Sequence, residues 1–255
     1  MKRWGNVRSW EKGPADMVTE ADFASQRVIR EIITRAYPNH AFVGEEEEST
    51  PRTENFTPTK TASACYWVVD PLDGTTNFVH GLPIFSVSVA VVRAGEPVAG
   101  AIFNPVTKEL FLAAAGEGAS LNGARVRVSG ARELSQSLVA ASFGTTVDLD
   151  GPEVGSFLRL LPQARAIRRL GSSALNLAFV ACGRLDAYWT MTAHPWDVAA
   201  GMLLVREAGG AIVSLGPETP SVWRPNFVTA ASRELAEQIR SLGCHPSRAP
   251  SARRS

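Results

Sequence analysis

Two aspartates, Asp70 and Asp73, stand at the end of the hydrophobic run 66–69 and open the stretch Asp70-Pro71-Leu72-Asp73-Gly74-Thr75-Thr76-Asn77-Phe78. Pro71 fixes its own φ at about −65° and removes a backbone donor. Gly74 permits a sharp turn that exposes the amides of Gly74 and Thr75 to an anion. Such a loop can hold metal and phosphate together. The same residue types also build ordinary turns, because Asp and Asn side chains bond their own backbone, so this segment alone leaves both readings open.

Further acids widen the constellation. Glu45 and Glu46 follow the short apolar pair Phe42-Val43, and His194-Pro195-Trp196-Asp197 sets a carboxylate before a helical pattern. Hard carboxylate oxygens suit Mg²⁺. Against this, Glu45 to Glu48 reads equally as a solvated acidic run, Asp197 as the N-cap of a helix from Val198, and Asp22 as a first-turn acid favoured by the helix dipole. His80 and His194 read as structural, and Trp189 and Trp196 as packing or pocket wall.

The elements that must position these groups follow from periodicity. Ala21, Ala24, Val28, Ile32 and Ile33 recur at helical spacing over residues 20–37 and describe a buried stripe. Thr19 and Asp22 resemble a capping box, and Pro38 ends the pattern. Residues 49–63 read as an exposed polar loop and 65–69 as a buried strand. Strands follow at 85–92, 98–103, 109–114 and 126–128, separated by Gly, Pro or Asn, which favours antiparallel hairpins. From 138–142 onward the pattern alternates: helices at 154–161 and 173–181, a strand at 186–190, a helix at 198–208, strands at 211–213 and 227–230, and a helix at 233–242. Residues 246–255 read as a frayed basic tail. The organisation is therefore a hairpin-rich half, 1–140, carrying most of the acids, and an alternating half, 141–255, carrying Asp197 and a substrate pocket, together one α+β unit with mixed sheets.

Composition bounds the function. The chain has 255 residues with 26 basic and 25 acidic side chains, a net charge of +1, which gives no electrostatic footprint for nucleic acid or an anionic membrane. No apolar run is long enough to span a bilayer, and no signal peptide is visible. The three cysteines suggest neither a disulfide framework nor a zinc knuckle. A cytoplasmic protein with a small-molecule partner is the expectation.

Taken together, the residues resemble the inositol monophosphatase family. The resemblance covers residues 12–242 and is carried by Asp16-Met17-Val18-Thr19-Glu20-Ala21-Asp22, Gly44-Glu45-Glu46, the stretch 70–78 and Trp196-Asp197-Val198-Ala199-Ala200-Gly201. Thr76-Asn77 is more similar to inositol and sugar-phosphate phosphatases than to the nucleotide-bisphosphate branch. The resemblance implies a layered αβαβα sandwich and a Mg²⁺-dependent, lithium-sensitive phosphatase using two or three ions. It implies that Glu45, Asp70 and the Leu72 carbonyl bind one Mg²⁺, and that Asp70, Asp73 and Asp197 bind a second. Asp22, Glu45 and Thr75 become catalytic, with Thr75 and Asp22 orienting the attacking water. Asp73, Gly74, Thr75, Gly171, Ser172, Ser173 and Thr190 become substrate-binding, although Ser172-Ser173 before a helix is also a simple N-cap signal.

The implied substrate is inositol monophosphate or a similar polyol or sugar phosphate, the enzyme alternative is histidinol phosphate, and a nonenzymatic interaction protein is the alternative from another class. Departures are informative. Relatives carry a leading helix that this sequence lacks: either the start is mis-set or the helix is gone, and its loss would expose apolar surface on the first sheet or leave it for a partner to cover, which fits a homodimer. Lys12 resembles a loop lysine near an additional metal site. Thr190 stands where inositol-hydrolysing relatives carry a Glu.

Overall fold

In the computed structural model, residues 4, 5, 7–13, 16–46 and 64–243 are described. The polar loop at 49–63 and the tail at 246–255 fall outside them. Thr19 starts helix α1 (Glu20–Ala36): its hydroxyl accepts from Ala21 N at 3.0 Å while the Asp22 carboxylate accepts from Thr19 N at 2.9 Å. The expected capping box is therefore present. The expected stripe is not buried along its whole length. Ile33 is buried, but Val28 and Ile32 are 53% and 54% exposed, because the side of α1 turned inward carries Asp22 and Gln26 instead.

Ahead of α1, strands β1 (Ser9–Gly13) and β2 (Asp16–Thr19) form an antiparallel hairpin. The large sheet comprises β3 (Ala41–Gly44), β4 (Cys65–Asp73), β5 (Ser86–Arg93), β6 (Glu96–Asn104), β7 (Glu109–Ala114), β8 (Gly118–Leu121) and β9 (Ala124–Arg125), in that spatial order. Its β3–β4 pair is parallel and its other pairs are antiparallel. The five-residue helix α2 (Thr75–Val79) follows β4.

The second sheet has the order β11-β10-β12-β14-β13, built from β10 (Leu138–Ala141), β11 (Ala166–Arg168), β12 (Ala187–Thr190), β13 (Ala211–Ser214) and β14 (Phe227–Ala230). Here β10 runs parallel to β11 and β12, and β14 antiparallel to β12 and β13. Helices α4 (Ser173–Ala181) and α5 (Pro195–Glu207) lie between the sheets, while α3 (Pro152–Leu160) and α6 (Arg233–Gly243) cover the far face of the second. With α1 against β4, the layers read α, β, α, β, α.

Sequence explains this placement. In α4 and α5 apolar residues run round the whole helix and almost all are buried, as a helix sandwiched between two sheets requires. Strand β12 does the same at period two: Tyr188 enters the inter-sheet core with Leu177, Met202 and Phe227, whereas Trp189 enters the outer core with Leu160, Leu235 and Ile239. The outer face of the large sheet is covered less completely. Trp67, Val89, Val91 and Leu112 line an open groove of about 640 Å³ there.

Strands β1, β2, β8 and β11 and helix α2 were not expected from sequence, and two of the expected elements are placed differently. Residues 126–128 form no strand, because the hairpin with β8 is completed by Ala124–Arg125 and Val128 N turns away to Ala208 O. Helix α5 begins at Pro195, not Val198. His194 is thus the N-cap, and Asp197 is the third helical residue reaching back to it.

Candidate active site

A β-bulge brings Asp70 and Asp73 together. Residues three apart on a regular strand face opposite sides of the sheet. Here Asp70 pairs with Ser88 and Asp73 with Ser86, so an extra residue is accommodated in β4 around Pro71. Since Ser86 and Ser88 share one face of β5, both aspartates are returned to the same buried face. Pro71 has no N–H to lose at this point.

Neighbouring elements bring the other acids in. The parallel register places Gly44 beside Val69, so the chain leaves β3 at Glu45 level with Asp70, and Glu45 N donates to Val69 O at 3.2 Å. Gln26 of α1 holds the turn by accepting from Glu46 N at 3.0 Å. From the other side, Ser88 donates to Trp196 O at 3.2 Å, which fixes the start of α5 beside β5 and carries Asp197 to Asp70. The Asp197 carboxylate accepts from His194 N at 2.7 Å.

The cluster is electrostatically strained. Burial, followed by the neighbouring carboxylates Glu45, Asp73 and Asp197, lifts Asp70 well above its ordinary range. Asp197 is lifted likewise by burial and then by Asp73. Burial pushes Glu45 up to about 7 against the opposing pull of Lys12. Lys12 Nζ lies 3.1 Å from Glu45 Oε1 and 2.6 Å from Glu46 Oε1. Although burial disfavours its charge, the two glutamates more than offset this and hold it above the ordinary lysine range.

Among the described residues no three His, Cys, Asp or Glu side chains are already gathered as a metal cage. The donor set nevertheless fits a hard divalent cation: the four carboxylates of Glu45, Asp70, Asp73 and Asp197 offer only oxygen, and they are buried close enough to raise one another's affinity for positive charge. Asp73 is the most committed of the four. It accepts from Ser172 Oγ, from Ser173 N at 3.1 Å, from Ala174 N at 2.8 Å and from Ser86 Oγ at 3.4 Å. Only its Oδ1, with a single donor, keeps a lone pair for a further partner.

Beside the acids lies a cavity of about 660 Å³, lined among others by Glu45, Asp73, Gly74, Thr75, Gly171, Ser173, Thr190 and Asp197. Gly74 turns the chain with φ +96°, and a Cβ there would lie 2.9 Å from Ile84 O and 3.1 Å from Gly171 O. The loop is therefore open only to glycine. Behind it Asn77 donates to both Ile84 O at 2.7 Å and Leu170 O at 2.8 Å, tying the two walls together. Thr75 Oγ1 lies 3.1 Å from Asp22 Oδ1 and 3.0 Å from Leu72 O. Burial raises Asp22 despite its bonds from Thr19 and Thr75.

Two residues read from sequence as substrate-binding sit differently. Ser172 is 1% exposed and does not open on the cavity; it caps α4 by accepting from Leu175 N at 3.2 Å and donates to Asp73. Thr190 lies at the cavity floor near the Tyr188 hydroxyl, but its own hydroxyl makes no hydrogen bond of normal geometry.

Sequence reasoning missed a hydroxyl network and a cation. Tyr188 Oη stands 3.0 Å from both Ser142 Oγ and Ser173 Oγ. The Arg169 guanidinium lies 5.2 Å from the centre of the Phe143 ring on the cavity wall. The available signal was topological: Ser142 continues β10 and Tyr188 lies in β12, adjacent parallel strands whose C-terminal ends meet.

A family model described as the inositol monophosphatase family matches residues 2–245. The chain is 44% identical over 209 residues to an inositol-1-monophosphatase of Rhizobium meliloti strain 1021, covering 80% of this chain and 74% of that protein. It is 38% identical over 237 residues to the Nus factor SuhB of Haemophilus influenzae, covering 92% and 86%. Among solved structures, the extragenic suppressor protein suhB of Bartonella henselae superposes with a TM-score of 0.83 at 35% identity, over 93% of this chain and 88% of that one.

Proposed function

The chain belongs to the inositol monophosphatase family and is a phosphoric monoester hydrolase; on that premise we propose that it uses Mg²⁺ to hydrolyse inositol monophosphate or a similar polyol or sugar phosphate. One observation carries the reading: the bulge that returns Asp70 and Asp73 to one face, beside Glu45 and Asp197, at the floor of a cavity whose far side is polar.

Glu45, Asp70 and the Leu72 carbonyl would hold one ion, and Asp70, Asp73 and Asp197 a second. When bound, the metal supplies charge for the phosphoryl oxygens and acidifies the attacking water. The chain's own residues do the rest. The Gly74 and Thr75 amides hold a phosphoryl oxygen at the mouth of the loop. Thr75 Oγ1, which donates to Asp22 at 3.1 Å, orients the water and accepts its proton as the new P–O bond forms, passing its own proton to Asp22, which burial makes more basic; the ester P–O bond breaks and the departing alkoxide takes a proton from a second water. Ser173 and the hydroxyl of Thr190 face the alcohol portion.

The test is phosphate release from inositol 1-phosphate, glycerol 2-phosphate and histidinol phosphate with and without Mg²⁺. Mg²⁺-dependent release is expected, with Asp70→Asn lowering kcat/KM at least about a hundredfold, roughly 2.7 kcal/mol, while the circular dichroism spectrum is retained. Release by Asp70→Asn at the wild-type rate would overturn the metal assignment. Histidinol phosphate fits less well, because its ammonium group would meet the Arg169 guanidinium. We also propose a homodimer, for which the exposed Val28, Ile32 and Leu112 are the support; a monomer in sedimentation velocity would refute it.

A further inference from the structure

Arg169 is the basic side chain lining the cavity among the described residues, and no carboxylate among them pairs with it. Its neighbour Arg168 behaves differently, folding back so that Nη1 donates to Ile167 O at 3.0 Å. Arg169 instead lies over Phe143, and that ring is fixed on two sides. Phe157 packs edge-on at 5.6 Å and Trp189 edge-on at 5.9 Å.

The next residue is fixed as well. Gly144 N donates to the buried Glu153 carboxylate at 3.4 Å, and Thr192 from the opposite rim donates to the same carboxylate at 2.8 Å. The guanidinium thus rests on a rigid platform. Stacking occupies its flat face and leaves the N–H edges free for planar, bidentate contact with a carboxylate or phosphate.

Of the acids lining the cavity, Glu45, Asp73 and Asp197 are given to the metal by the reading above and Asp16 forms no ion pair with Arg169, so in a neutral polyol phosphate the guanidinium has no anionic partner besides the phosphate that is cleaved. We infer that Arg169, stacked on Phe143, is a second anion subsite, and that the preferred ester carries another anionic group, phosphate or carboxylate, besides the phosphate that is cleaved. This rests on the phosphatase reading above and narrows its substrate class.

The experiment compares glycerol 2-phosphate, 3-phosphoglycerate and fructose 1,6-bisphosphate as substrates of the wild type, Arg169→Gln, Arg169→Lys and the control Arg168→Gln. Arg169→Gln should lower kcat/KM for the two doubly anionic esters at least tenfold, chiefly through KM, and change glycerol 2-phosphate less than twofold. Arg169→Lys should restore part of the loss, and Arg168→Gln should match the wild type. The two doubly anionic arms report whether carboxylate or phosphate is the better occupant.

An equal loss on all three esters, or no loss on any, would overturn the subsite and leave Arg169 as a general counterweight to the acid cluster. Calorimetric binding of 3-phosphoglycerate without turnover separates the two readings. If no ester is hydrolysed, the phosphatase reading fails, and the subsite still stands or falls on whether Arg169→Gln weakens that binding at least fivefold.

Discussion

Ser172→Ala removes one oxygen at the point where the two sheets communicate. The hydroxyl donates to Asp73 at the end of β4 and accepts from Leu175 N at the start of α4, and it is 1% exposed. Loss of a serine N-cap costs about 1 kcal/mol, and loss of a hydrogen bond to a charged group about 1.5–3 kcal/mol. The two share one atom and are not independent. A total of about 2–3 kcal/mol is expected, because Asp73 keeps its bonds from Ser173 N and Ala174 N.

Urea unfolding of the metal-free protein measures it. With m near 3 kcal/mol/M for a chain of this size, the midpoint should fall by about 0.7–1 M with m unchanged. The lost donor stabilises ionised Asp73, so the penalty should shrink as the pH is lowered and Asp73 takes up a proton in both states. A midpoint shift below about 0.2 M at neutral pH, or a penalty that grows in acid, would refute the assignment of Ser172 as the link between β4 and α4.

In EDTA the protein should lose stability as pH rises from about 4.5 to about 7: folded Glu45 keeps its proton in that window while the unfolded chain has released it. Saturating Mg²⁺ should flatten or reverse this slope, since bound metal requires ionised ligands; melting temperatures at both ends of the window decide it. Gly74→Ala should cost about 3 kcal/mol or more, from positive φ and the approach to Ile84 O and Gly171 O, seen as a fall of about 6–12 °C in Tm. Because Thr190 offers no charged acceptor to ring hydroxyls, kcat/KM for inositol 1-phosphate should exceed that for glycerol 2-phosphate by less than about a thousandfold, some 4 kcal/mol.

What could be read from sequence was whatever depends on neighbours along the chain. The Thr19 capping box, the antiparallel hairpins of the large sheet and the apolar helix α4 each follow from patterns a few residues long, and each is present. Burial was less legible. Val28 and Ile32 fit the helical period, but which side of α1 faces β4 depends on Gln26 meeting Glu46, a contact across twenty residues.

The same limit governs the site. Every acid was visible as a residue, and the Asp70–Phe78 stretch announced itself by composition, yet spacing alone would put Asp70 and Asp73 on opposite faces of a strand. Only pairing with Ser88 and Ser86 shows that a bulge restores them to one face. Arg169 stayed hidden for a related reason: nothing along the chain distinguishes it from Arg168, and what separates the two is an aromatic ring from another strand end and the Glu153 carboxylate that anchors that ring's loop. Local pattern supplied the chemistry of the groups, and long-range register supplied the faces they share.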